Sequence, residues 1–298
     1  MRAVMRQIDE AAIKSCSDVR FRSEYDYALF EYYRSAKVLA FLERAGVTVA
    51  GRVLDAGCGG GGMPLSFAEE ASFVVGIDLR DRFREAGVNL ARERGARRLA
   101  FLVADGLTLP FVDGAFDLVL SHAVIEHVAD ARQYLCECAR VLKPGGRMYL
   151  STAPYLSFAG AHLPRLKVPV PLHLIAGRKL AFRAFRFLAR HAAWTLREPA
   201  YENSFIRDAR QNATKEDDLL EPVRIGRLRA QIAAAGLRVE REELGVTGTF
   251  RKLPFRIGER LRDSSLTRDI VVGNLEYVLS HEEAAPDHRR TETGRARR

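Results

Sequence analysis

Acidic residues are missing from a fifth of this 298-residue chain: between Cys138 and Arg197 there is no Asp or Glu. The same window holds eleven Lys and Arg residues, more than the net charge of +9 of the whole chain, so the remainder is slightly acidic. Charge segregated in this way favours an anionic partner such as a phosphate, a nucleic acid or a membrane surface. Lysine is also scarce, 7 against 40 arginines, a compositional bias that explains Arg over Lys but not the missing acids. The four cysteines, Cys16, Cys58, Cys136 and Cys138, are too few and too irregularly spaced for a disulfide framework, which fits reduced thiols in a cytoplasmic protein. No stretch approaches the ~20 apolar residues needed to span a bilayer. Met1 to Arg22 mixes charges with apolar residues and does not read as a secretion signal.

What is present is an alternation. Residues 1–50 read as a helical cap, with Leu29, Tyr32, Tyr33, Ala36, Leu39 and Leu42 at three- and four-residue steps and Gly46 as the stop. Tyr25 and Tyr27 are candidates for a lid, and Tyr32 and Tyr33 for helix packing. Strand-length apolar runs follow at 53–55, 73–78, 100–103, 116–121 and 147–152, separated by helix-like stretches. Five- or six-residue strands alternating with helices predict a doubly wound, mostly parallel sheet, its strands buried on both faces. The alternation breaks at Pro154, and residues 154–222 read as a basic helical insertion after the fifth strand. A helix at 224–235 and strands at 237–244 and 270–279 complete seven strands within a core of 51–153 and 223–281, and 282–298 reads as a disordered tail.

The sharpest local signal is Asp55-Ala56-Gly57-Cys58-Gly59-Gly60-Gly61-Gly62, between a strand and a helix. Glycines there let the chain turn tightly and let a ligand approach the backbone. Asp78 closes the second strand 21 residues after Gly57, an offset at which an acid can accept hydrogen bonds from both ribose hydroxyls. Asp105 follows the third strand. Three carboxylates thus fall at one sheet edge, where open α/β sheets bind ligands. A pyrophosphate would be repelled by Asp55, so the pattern suits a cationic ligand better than a dinucleotide.

These motifs resemble the class I S-adenosylmethionine-dependent methyltransferases, especially the group that includes quinone-biosynthesis enzymes. Leu54 to Gly61 is similar to that family's first motif, Gly76-Ile77-Asp78 to the second, and Ala104-Asp105-Gly106 to the third. Phe116 to Val119 with Ile125-Glu126-His127-Val128 is similar to the fourth, and Arg140 to Gly146 to the turn before the fifth strand. The resemblance implies a Rossmann-like fold, methyltransferase activity and S-adenosyl-L-methionine as cofactor. It also implies cofactor contacts at Asp55, Gly57, Cys58, Gly59, Gly61, Asp78, Leu79, Ala104, Asp105 (at the adenine amino group), Gly106 and Ser121.

The protein's task in such a reaction is to align an acceptor lone pair behind the donor methyl. His122 and His127 are candidates for a base, since histidine titrates near neutral pH. No metal is required, and Cys136 and Cys138, two apart on a helix, point away from each other. Residues 178–191 form a basic amphipathic helix, with Arg183, Arg186 and Arg190 along one stripe and Ala181, Phe185 and Leu188 towards another face. With the proline-rich stretch from His162, it reads equally as a helical cap or as a functional element, either a peripheral contact of 162–191 with the inner membrane surface or the wall of a pocket for a lipid-linked or phosphorylated acceptor. The expected acceptor is a small molecule, lipid-linked or phosphorylated. The alternatives are an RNA methyltransferase that uses the basic insertion, and a non-catalytic scaffold of the same fold.

Overall fold

Hydrophobic residues recur singly or in runs according to how many faces of each strand are covered, and the fold follows from that. The computed structural model describes residues 8–157, 163, 166–167, 172–197, 204–211 and 222–281. Two helices come first, α1 (Glu10–Val19), capped by Asp9, and α2 (Glu24–Arg44), capped by Ser23. Then follow β1 (Arg52–Ala56), α3 (Gly62–Phe67), β2 (Phe73–Asp78), α4 (Ala86–Glu93), β3 (Leu99–Val103) and β4 (Phe116–His122). Next are α5 (Ala131–Val141) and β5 (Leu142–Thr152). The insertion contributes α6 (Leu172–Ala176), α7 (Arg178–His191), a 3-10 turn at Ala193–Thr195 and α8 (Ser204–Arg210). The chain returns through α9 (Ile225–Ala234), β6 (Leu237–Val246), α10 (Gly248–Arg251), α11 (Ile257–Asp263), α12 (Arg268–Val271) and β7 (Val272–His281).

The seven strands form one sheet in the order β3-β2-β1-β4-β5-β7-β6. The first five are parallel, and β7 runs antiparallel between β5 and β6. The Rossmann-like, mostly parallel sheet expected from the alternation is therefore present. The strand order reverses at β1 and β4, where their carboxyl ends open a crevice.

Successive β1 side chains point to opposite faces. Leu54 joins a core with Val75, Leu135 of α5 and Ile232 of α9. Val53 joins a second core with Val38, Phe41 and Leu42 of α2. Two expectations are corrected at the margins. The third strand is not covered on both faces: β3 is an edge strand, and its Leu102 and Val103 are exposed. The last strand starts at Val272: residues 268–271 form a helical turn, in which Asp269 accepts a hydrogen bond from Ile225 N–H at 2.9 Å. Part of the proline-rich stretch and the whole 282–298 segment lie outside the described residues.

Candidate active site

The glycine loop is fastened before anything binds it. The N–H groups of Gly57 and Cys58 both donate to the carbonyl of Ile77, at 2.9 and 2.7 Å, tying the loop to the end of β2. Gly57 has φ 119°, and a Cβ there would lie 2.3 Å from Val124, so both conformation and space demand glycine. At Gly62 a Cβ would fall 1.8 Å from the carbonyl oxygen of Ala28, which is how closely α2 is laid across the loop.

That contact brings α2 side chains to the site. Glu31 is buried, and its carboxylate, with the Arg82 guanidinium, converges on the open side of Gly59. Asp78 is held by the loop: Oδ2 accepts from Gly59 N–H and Oδ1 from Arg80 N–H, each at 2.9 Å. Arg82 reaches Asp78 at 3.5 Å, and Arg34 reaches Glu31 at 3.2 Å. Asp55 is fully buried at the end of β1. Burial first, then the charges of Glu31 and Asp78, push its carboxyl well above the usual range. Burial likewise raises Glu31, against the opposing pull of Arg34 and Arg82. The Cys58 thiol is raised by burial and by the same three carboxylates.

Three carboxylates crowded at a desolvated edge favour either protonation or an added cation. The residues present therefore fit a ligand with a sulfonium and an ammonium group, and disfavour a pyrophosphate. An ionised carboxylate has about four acceptor positions, so Asp78 retains capacity for hydroxyl donors beyond its two backbone partners.

On the β3 side, Ala104 N–H donates to the Asp78 carbonyl at 3.1 Å, and Leu79 is exposed beside it. Asp105 is exposed, and its Oδ1 accepts from Leu107 N–H at 2.9 Å, which sets the turn after β3. Gly106 lies against Tyr134, where a Cβ would come 2.9 Å from the ring. Ser121 ends the row of residues expected at the cofactor. Its side chain is fully enclosed, and its Oγ lies 2.9 Å from the Tyr134 hydroxyl, which donates to the Ala56 carbonyl at 2.7 Å. Ser121 therefore fastens α5 to the sheet beneath the crevice.

The other side of the edge is built by β4 and β5. His122 ends β4, half-buried, its ring parallel to Tyr149 at 6.1 Å between centroids. Burial, and then the positive charge of Arg34, push its imidazole down to about 3, so it stays neutral and is a poor proton acceptor. His127 is exposed on the following loop, its N–H donating to the Val124 carbonyl at 2.8 Å. Between them Glu126 is buried and accepts from Thr152 Oγ1 at 2.9 Å. Burial pushes its carboxyl up to about 7. Glu126 carried no role in the sequence reading, because a Glu beside a His in a loop gives no sign of being enclosed. Glu31 did leave a signal: it shares the buried stripe of α2 with Ala28, Ser35, Val38 and Leu42, where a charge is out of place.

Residues 54–150 match the family described as "Methyltransferase domain". The chain is 32% identical over 151 residues to an uncharacterised methyltransferase, YcgJ, of Bacillus subtilis, covering 47% of this chain and 60% of that one. It is 36% identical over 129 residues to a demethylmenaquinone methyltransferase of Tropheryma whipplei, covering 39% and 52% respectively. The matched stretch thus spans little more than half the length of these relatives. Among solved structures, that of the cyclase SpnF covers 83% of this chain and 80% of its own, with a TM-score of 0.51 at 18% identity, a likeness of fold.

The matched residues 54–150, about a third of the chain, carry its resemblance to the class I S-adenosylmethionine-dependent methyltransferases. S-adenosylmethionine is the methyl donor that this family implies.

Proposed function

We propose that the chain transfers the methyl group of S-adenosylmethionine to a small-molecule acceptor that is amphipathic or anionic, either lipid-linked or phosphorylated. The observation that carries this reading is the convergence of Glu31, Asp55 and Asp78 on a glycine loop whose backbone is pinned open. Such an edge suits a cationic nucleoside and repels the pyrophosphate of a dinucleotide.

The bound cofactor supplies an electrophilic methyl on a sulfonium. In our assignment the free acceptor positions of Asp78 take the two ribose hydroxyls. Asp105 faces the adenine amino group, with Leu79, Ala104 and Gly106 beside the base. Glu31 and Asp55 hold the positive charge of the amino-acid moiety, with the backbone at Gly57, Cys58, Gly59 and Gly61 forming the floor.

On the acceptor side, the exposed His127 is the group assigned to take the proton released when a hydroxyl acceptor is methylated. His122 is a neutral hydrogen-bonding group there rather than the base. The basic insertion after β5 begins at this edge and supports an anionic acceptor.

The test is a labelled-methyl transfer assay against fractionated cell extract. Label in the lipid or small-molecule pool supports the reading. Label confined to RNA would replace the acceptor class, and no transfer in any pool from a protein that binds the donor would favour a scaffold.

A further inference from the structure

The insertion has its own small core, and one helix spends its apolar face on it. Ala181, Phe182, Phe185 and Ala189 are the buried residues of α7. Phe185 and Ala189 pack with Leu196, Ile206 and Ala209. The apolar face of α7 is thus turned inward onto this small core. A surface helix satisfied in this way should carry polar groups on its outer face.

This one does not. Leu180 and Phe187, two turns apart on the same side, are 60% and 61% exposed. Trp194, in the 3-10 turn that follows the helix, is 75% exposed, and Ile175 of the preceding α6 is 71% exposed. Arg183 is exposed on the same face between Leu180 and Phe187, and the His191 ring lies 4.7 Å from that of Phe187. Lys179 and Arg197 are exposed at either end. Single exposed apolar residues are ordinary on protein surfaces. Four within twenty residues, interleaved with cations and with no acid anywhere in the window, form a patch of defined chemistry.

Not all the basic excess is available for this. Arg140 ties Glu137, Asp113 and the carbonyls of Leu109 and Phe111 together, Lys143 pairs with Asp117, and Arg147 pairs with Glu240. These residues staple the core. Arg190 likewise donates to the Ala209 carbonyl at 2.7 Å, whereas Lys179, Arg183 and Arg197 are exposed around α7.

We propose that the outer face of α7, with Ile175, Leu180, Phe187 and Trp194 as its apolar points and Lys179, Arg183 and Arg197 around them, docks on an anionic lipid surface. Charge complementarity draws the face to lipid phosphates, and the protruding side chains then leave water for the acyl boundary. Trp and Phe are suited to that boundary, being amphipathic or large and apolar. Nucleic acid offers the same phosphates and could stack Phe187 and Trp194, but it gives Ile175 and Leu180 no apolar phase to enter. This inference does not depend on methyl transfer.

Trp194 is the only tryptophan of the chain, so the unmodified protein reports on its own patch. The full chain is titrated with vesicles of phosphatidylcholine mixed with phosphatidylglycerol, with vesicles of phosphatidylcholine alone, and with single-stranded polyuridylate. The expected result is a blue shift of Trp194 emission and co-sedimentation with the anionic vesicles, both reduced by added salt and by omitting phosphatidylglycerol. The double variant Leu180→Ser, Phe187→Ser changes exposed side chains only. It should lower partitioning by about tenfold while its far-ultraviolet circular dichroism stays that of the parent. Unchanged emission with no sedimentation would overturn the proposal. So would equal partitioning of the double variant, or a shift produced by polyuridylate while vesicles are inert. No methyl donor is present, so failure here leaves the enzymatic reading standing.

Discussion

The Tyr149 hydroxyl donates to Glu276 Oε1 at 2.9 Å, and the same oxygen lies 3.4 Å from His122 Nδ1. One buried phenol thus links β5 to β7 and stands beside the histidine that ends β4. Burial raises the Glu276 carboxyl, and the Tyr149 hydrogen bond offsets part of that rise. Removing the hydroxyl would leave a desolvated carboxylate without its donor. Tyr149→Phe is expected to cost about 1–3 kcal/mol in urea unfolding. Glu276→Gln should cost less, because the amide oxygen can still accept.

His122 gives stability a definite pH dependence. Its folded pKa of about 3 lies below the ordinary 6.5, so between those values the unfolded chain binds a proton that the folded chain refuses. Stability from this group is fully present above 6.5 and is lost as pH falls towards 3. His122→Gln should flatten the acid limb of a stability–pH curve. An unchanged slope would show that His122 titrates normally.

Glu126 contributes with the opposite sign. Its folded pKa of about 7 lies above the ordinary 4.5, so its contribution is fully present below 4.5 and is lost as pH rises through 7. Glu126→Gln should therefore stabilise the protein at pH 8 by on the order of 3 kcal/mol relative to the parent, and not at pH 4. Urea unfolding of both proteins at the two pH values checks the sign.

Glycine substitutions separate space from conformation. Gly62→Ala would drive a methyl into the Ala28 carbonyl and lift α2 from the loop, costing about 3 kcal/mol or more and loosening Glu31. Gly226→Ala, in α9 with nothing within 4 Å, should stabilise by up to about 1 kcal/mol. Thermal melts of both variants make the comparison.

Much of this was legible in residue order. The parallel strands, the glycine loop and the carboxylates at the ends of β1 and β2 and after β3 follow from local runs and turn chemistry. The place of β7 between β5 and β6 did not, since hairpin order among distant strands leaves no local mark. Nor did the enclosure of Glu126 and Ser121: whether a polar residue at a strand end faces a crevice or the core depends on what packs above it, here Thr152 and Tyr134. The α7 face shows the same limit. Periodicity identified an amphipathic helix, but only packing revealed that its inner stripe was already used and that Leu180 and Phe187 were left outside.

The most direct measurement is calorimetric titration of S-adenosylmethionine into the parent protein and Asp78→Ala. The account predicts saturable binding to the parent, and a loss of about 1–3 kcal/mol in the variant through missing charge-assisted hydrogen bonds. An equal affinity for a properly folded variant, or binding of a nicotinamide dinucleotide in place of the sulfonium nucleoside, would contradict it.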